Sequence, residues 1–390
     1  MSQSDKIPPA LLAAVIKRPS LPEEYPQNRK FQGIPSIAAL PGNGGLFATW
    51  YAGGTGEGPD NYVIIARSHN DGLSWEDPFF IIRHEDKNIR CFDPNIWCDP
   101  EGKLWIFWAQ SYSLKVGNTS DGRAGVWASY SSNPNGEAPQ WSPPCRIANG
   151  VMMNKPVILS NGEWAFPTAL WRGNMEKFGI QKAPEELQKE VLSNITISPD
   201  QGKTFFFRGG ADVPERSFDE NMIVEKKDGT LQMLVRTDYG VGESLSRDMG
   251  KTWSPGRNSG ISSPNSRFYV GRLASGNLLL VHNEDDSSLD YKQRPWRPRR
   301  NLSARISLDD GSTWQGGSLL LDERVNTSYP DAFQAEDGSI YIIYDYERYK
   351  GGTVLMAKIT QEDILAGKIV SENSFLKRVI SFYPWEAKEN

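Results

Sequence analysis

The chain has 390 residues, 43 Lys and Arg against 48 Asp and Glu, and a formal net charge of −5 at pH 7. It therefore offers no basic field, and nucleic acid is not an expected partner. Its 13 Trp, 14 Tyr and 16 Phe, punctuated by 36 Gly and 26 Pro, favour pleated half-buried surfaces and turns over helices.

The chain opens with a Pro-rich stretch, read as an N-terminal extension over 1–28 that wraps the outside or packs across the body. Its apolar run Leu11–Ile16 is too short for a signal-peptide core and has no basic segment before it. No stretch approaches a membrane-spanning length, so a cytoplasmic protein without membrane insertion is expected, or a secreted or periplasmic one had a leader been trimmed.

From Ile37 one unit recurs: an apolar strand, a turn containing Gly, and a second strand rich in aromatic and β-branched residues. It reads IAALPGNGGLFATWYAG from Ile37, IWCDPEGKLWIFWAQ from Ile96 and PVILSNGEWAFPTALW from Pro156. It continues as MIVEKKDGTLQMLVRTD from Met222, VGRLASGNLLLVHNED from Val270 and AFQAEDGSIYIIYDYE from Ala332. Each copy predicts a β-hairpin. The turns lie about 47 to 67 residues apart, the period of propeller blades. Six copies predict an all-β, six-bladed β-propeller with four-stranded antiparallel blades, filling 29–390 as one domain.

A second motif follows four of the hairpins. It spans Ser68 to Trp75 (with Asp71 and Gly72), Ser198 to Phe205 (Asp200, Gly202), Ser246 to Trp253 (Asp248, Gly250) and Ser307 to Trp314 (Asp309, Gly311). This is the Asp-box pattern, S-x-D-x-G-x-[ST]-W. Its chemistry is that of a tight turn: a carboxylate accepting backbone N–H groups, a Gly at positive φ, and an aromatic packing back onto the sheet. The boxes are structural and mark the fold. Helix is expected only at APEELQKEVL near Ala183 and at TQEDILAGK near Thr360, where Thr360 and Asp363 form a capping box. Cys91, Cys98 and Cys145 match neither a zinc spacing nor a disulfide scaffold, and His69, His84 and His282 form no metal-binding spacing. No metal and no cofactor are called for.

With six hairpins and four Asp boxes, the chain resembles the sialidase superfamily, in its bacterial BNR-repeat branch, over roughly Phe31 to Ile380. The resemblance implies a Tyr nucleophile paired with a Glu, a carboxyl acid/base, and three Arg on the substrate carboxylate. Carried over position by position, the Glu falls on Glu220 and the second Arg on Arg236, in FDENMIVEKKDGTLQMLVR. The Tyr falls on Tyr329 in NTSYPDAF, the third Arg on Arg299 or Arg300 in RRNLSAR, and the acid/base on Glu57 or Asp60 in AGGTGEGPDNYV. The first Arg is missing: Gly33, in Phe31-Gln32-Gly33-Ile34-Pro35, stands in its column, and Arg29 or Lys30 is the nearest replacement.

Other side chains enter from the residues themselves. On a regular strand Asp331 shares a face with Tyr329, where it bonds a sugar hydroxyl or replaces Tyr329 as nucleophile on a neutral sugar. Tyr344, Asp345 and Arg348 close the sixth blade and are candidates to line the centre, and Arg267 either touches ligand or braces a loop. Each has a plain structural alternative: Arg236 with Glu220 as an interblade ion pair, Tyr329 as a packing aromatic, Glu57 and Asp60 as solvated loop residues. The expectation is a retaining, exo-acting glycosidase on a terminal, acidic or deoxy sugar of a glycan or oligosaccharide. The alternatives are a polysaccharide lyase on uronate chains and a non-catalytic glycan-binding propeller.

Overall fold

The computed structural model describes residues 7–20, 29–42, 44–114, 117–119, 122–123, 125–172, 182–285, 291–292 and 297–383. Parts of the N-terminal extension, and residues 293–296 shortly before Arg299, lie outside the described residues.

Six antiparallel sheets follow one another along the chain, each built from consecutive strands, as the repeat predicts. The fourth blade shows the pattern: Arg216–Glu225 innermost, then Leu231–Thr237, Gly240–Ser246 and Arg257–Asn258. The first blade gains a fifth strand, Val15–Lys17, which pairs with Glu76–Arg83. In the third, the inner strand is split into Val151–Met152 and Val157–Ile158, both pairing with Trp164–Ala169.

The core is a ring of six hydrophobic layers, one between each pair of neighbouring blades. Alternation within one strand feeds two of them. Ile223 of the fourth blade packs toward the third, while Met222 and Val224 pack toward the fifth. Both faces of each sheet are therefore covered, which is why second strands such as Leu46–Ala52, Leu278–Asn283 and Ile340–Tyr346 read as nearly continuous apolar runs.

The turns behave as their chemistry requires. Asp200, Asp248 and Asp309 each accept the backbone N–H four residues on, at 2.8, 2.9 and 2.8 Å. The first box differs from its expected reading: Asn70, not Asp71, takes the N–H of Ser74, at 2.9 Å. Asp71 is thereby free to accept Tyr341 Oη at 2.5 Å and Lys358 Nζ at 2.8 Å, which ties the first blade to the sixth. Among the described residues helix occurs at the two expected places, a 3-10 turn over Glu185–Glu190 and an α-helix over Gln361–Ala366 capped by Thr360 and Asp363, and also in a short 3-10 turn over Pro9–Leu11 that the sequence reading did not expect. No described helix is long and apolar enough to cross a membrane.

What positions the centre is a repeated irregularity. Four inner strands slip register: between Gly33 and Ser36, Phe92 and Asn95, Arg216 and Asn221, and Ser328 and Asp331. Each slip holds non-glycine residues at positive φ: Ile34 (58°), Asp93 (47°), Phe218 (58°) with Asp219 (46°), and Tyr329 (54°). Such bulges bend a strand and re-aim its side chains, and positive φ at these residue types persists only where the surroundings enforce it.

Below these bulges the axis is plugged by a buried polar network. Asp331 accepts Ser36 Oγ at 2.6 Å and the Ile37 N–H at 3.0 Å, and its Oδ2 lies 2.7 Å from Lys155 Nζ. Lys155 also donates to the carbonyls of Ile37 and Ala332. Arg267 is fully buried, donating to Asn154 Oδ1 at 3.0 Å and to the Pro35 carbonyl at 3.4 Å.

Candidate active site

Above the plug, the fourth and sixth blades bring a phenol, a carboxylate and a guanidinium into mutual contact. Tyr329 Oη donates to Glu220 Oε1 at 3.2 Å, and Arg236 Nη1 lies 2.7 Å from the same oxygen and 3.1 Å from Tyr329 Oη. All three side chains are buried, and Glu220 Oε2 has no hydrogen-bond partner. Arg236 is steered by Asn265, from the loop before the fifth blade, which accepts from Nε and is itself fixed through donation to Ser217 and Asp238. Burial works against the charge on Arg236, but Glu220 and Tyr329 outweigh it and raise the guanidinium above its usual range.

Two more arginines flank the phenol. The guanidinium carbons of Arg299 and Arg348 lie 4.9 and 4.4 Å from the centre of the Tyr329 ring. The one-residue ambiguity at 299–300 is thus resolved: Arg299 faces the ring and donates to the Asn265 carbonyl, while Arg300 is exposed. Burial, and then the charges of Arg236 and Arg348, lower Arg299 below its usual range against the opposing pull of Tyr329 and Glu220.

The carboxyls on the far side divide sharply. Glu57 accepts Tyr349 Oη at 2.8 Å and lies 3.9 Å from Arg348, with about a third of its side chain exposed. Burial acts to raise it, but Arg348 and Arg90 overcome that and hold it ionised, below the usual carboxylate range. Asp60, on the same loop, is exposed. The raised pKa expected of an acid is found elsewhere, at Asp93. Burial pushes Asp93 up to about 8, with Arg90 opposing and Glu57 and Glu220 adding to the rise. Asp93 is 5% exposed and accepts no hydrogen bond among the described residues.

Several expected positions lie off the site. Asp331 does not share a face with Tyr329, because the bulge between Ser328 and Asp331 breaks the strand's alternation and turns it into the plug. Arg267 braces that plug. Tyr344 is buried between the fifth and sixth blades and donates to Asp322 at 2.9 Å. Asp345 is a strut, accepting Ser328 Oγ at 2.6 Å and the Ile34 N–H at 2.8 Å. Arg29 is ion-paired with Asp77 at 3.1 Å.

Sequence reasoning missed Asp93, Arg90, Asn265 and Tyr349. A signal for Asp93 was present: Ile34-Pro35-Ser36, Asp93-Pro94-Asn95 and Tyr329-Pro330-Asp331 are one station of the repeat, so Asp93 stands where Tyr329 stands. Arg90 is 3% exposed, stacks 3.7 Å over Phe92, and has no hydrogen-bond partner at Nε or Nη1. No cluster of His, Cys, Asp or Glu suited to a metal occurs among the described residues. A cavity of about 660 Å³ lies apart from this cluster, among turns of the first, second and sixth blades, and touches the plug through Lys155.

Residues 44–342 match the family model of the BNR repeat-like domain. No curated protein matches the sequence. Among solved structures, a Dyadobacter fermentans protein of unknown function is 18% identical with a TM-score of 0.60, covering 86% of this chain and 94% of its own. The intramolecular trans-sialidase of Ruminococcus gnavus, complexed with oseltamivir carboxylate, is 14% identical with a TM-score of 0.62, covering 86% and 95%. A leech intramolecular trans-sialidase is 14% identical with a TM-score of 0.64, covering 87% and 69%. At such identities the likeness is one of fold.

Proposed function

We propose that this chain, which belongs to the BNR repeat-like domain family, is an exo-acting, retaining glycosidase that removes a terminal acidic sugar from a glycan. One observation carries the reading: Tyr329 of the sixth blade meets Glu220 and Arg236 of the fourth, and the three share hydrogen bonds at 2.7 to 3.2 Å. A structural ion pair needs no phenol, and a packing tyrosine needs no buried carboxylate.

A free phenol is a weak nucleophile at neutral pH. With Glu220 Oε1 at 3.2 Å, the proton leaves Tyr329 Oη for that carboxylate as Oη bonds to the anomeric carbon. A neutral phenol also suits a substrate bearing a carboxylate beside the reacting carbon, where a carboxylate nucleophile would be repelled. Arg236 and Arg299 attract that carboxylate and orient the sugar. Asp93 is the carboxyl of the cluster that starts protonated at pH 7. It gives its proton to the departing glycosidic oxygen, and once ionised it takes one from the water that releases the sugar from Tyr329. Glu57, ionised, holds Tyr349 and faces Arg348.

The test is a panel of aryl glycosides and natural oligosaccharides ending in sialic, glucuronic or galacturonic acid, followed by NMR. Release of the acidic sugar with its anomeric configuration retained is expected. A product with the ultraviolet absorbance of an unsaturated sugar would make the reaction an elimination. Binding without any product would leave a glycan-binding propeller.

A further inference from the structure

The guanidinium of Arg348 is held in place without being satisfied. Its side chain is 11% exposed, yet it forms no hydrogen bond: the nearest carboxylate oxygens are 3.6 Å away on Asp345 and 3.9 Å away on Glu57. Its Nη1 is buried with no partner. A buried, charged donor left unbonded is unfavourable, and the deficit is removed by an anion that accepts from it. Arg348 also stands over the same ring as Arg299, and Arg236 bonds that ring's hydroxyl. Three guanidiniums thus lie within one side chain's reach of Tyr329.

Gly33 explains how Arg348 comes to be there. A Cβ at position 33 would lie 2.8 Å from Asp345 Oδ2, 2.9 Å from Arg348 Cβ and 3.1 Å from Arg348 Cδ. Asp345 cannot yield, since Ser328 and the Ile34 N–H hold its two oxygens. The backbone is equally tight, with the Gln32 N–H donating to the Arg348 carbonyl at 3.4 Å. A side chain at 33 and the stem of Arg348 therefore exclude one another.

We propose that Arg348, seated against Gly33, is a ligand-binding residue that completes with Arg236 and Arg299 a three-guanidinium seat for a single sugar carboxylate. This rests on the glycosidase reading for its choice of ligand but not on turnover. Gly33 is then a specificity-determining position, glycine because the guanidinium arrives from the neighbouring blade.

The experiment measures binding by the full chain, using titration calorimetry with free N-acetylneuraminic acid and D-glucuronic acid and with their methyl esters. At least one acid binds the parent protein and its ester does not. Arg348→Met weakens that acid by about ten- to a hundredfold, the loss of one or two charge-assisted hydrogen bonds. Arg348→Lys recovers part of it. Gly33→Ala weakens it comparably although Arg348 is still present, because the added methyl displaces the stem. Circular dichroism and the unfolding temperature show that each variant is folded. The inference is overturned if neither acid binds, if the esters bind as well as the acids, or if folded Arg348→Met and Gly33→Ala bind like the parent. Arg348-dependent binding with no turnover of any glycoside would sustain it while removing the hydrolase reading.

Discussion

Asp93 offers the sharpest quantitative check, because its environment ties catalysis to stability. In the folded chain its carboxyl is pushed from 3.8 up to about 8 by burial. Between those values the folded state keeps a proton that the unfolded chain has lost. The contribution is therefore fully present below about pH 4 and is lost as pH rises toward 8. Each pH unit in that window removes about 1.4 kcal/mol, so on the order of 3 kcal/mol goes between pH 5 and pH 7. An unfolding entropy of roughly 2 cal/mol/K per residue gives a chain of this length about 0.8 kcal/mol/K, which makes the shift about 3 to 4 °C. Asp93→Asn is nearly isosteric and does not titrate, so it removes this slope. Calorimetric unfolding of parent and variant at pH 5, 6, 7 and 8 should show the gap between their Tm values changing steadily in the variant's favour as pH rises. Any constant offset from the substitution drops out of that comparison. Parallel Tm profiles would refute the assignment of a protonated, buried carboxyl. The same variant should be catalytically crippled, and the parent's activity should fall as pH passes about 8.

Tyr329→Phe should abolish turnover and Glu220→Gln should lower kcat by about a hundred- to ten-thousandfold; unchanged kcat on the true substrate would dismiss the nucleophile pair. Arg299→Met should raise KM for acidic glycosides by tenfold or more while Arg300→Met leaves it unchanged, since one faces the Tyr329 ring and the other faces solvent; equal effects would mean the register has been misassigned. Asp331→Asn should destabilise the fold by about 3 to 5 kcal/mol by leaving Lys155 buried beside a neutral amide, which denaturant titration will measure. A loss of activity in that variant at full stability would instead place Asp331 in the reaction. Glu57→Gln should cost less rate than Asp93→Asn on substrates with poor leaving groups; the reverse order would make Glu57 the acid.

The readings that succeeded and failed separate along a physical line. Hairpins, boxes and the capping box at Thr360 are local: a Gly at positive φ, a carboxylate four residues from an N–H, alternation along a strand. These are settled within a few residues, so the architecture was legible, and repetition multiplied a weak signal. Glu220, Arg236 and Tyr329 were picked out by the resemblance to sialidases and not by any spacing within the repeat, and the structure brings the three side chains into contact. The errors came where one residue of register matters. Asn70 rather than Asp71 closes the first box. Asp331 points into the plug because a bulge at Tyr329 cancels the alternation that would have set both on one face. Arg299 and Arg300 differ only in which side of the strand entry they leave from.

By itself, then, the sequence determined six hairpins, their closing turns and the pairs of faces that had to be buried, because these follow from interactions between near neighbours. Ring closure alone decided what the centre contains. Only when the first and sixth blades meet does Arg348 fill the space beside Gly33, and only at the second blade's bulge does Asp93 turn inward beside Glu220 and keep its proton. Those are contacts between residues far apart in the chain, fixed by packing and low local dielectric, and no spacing within one strand encodes them.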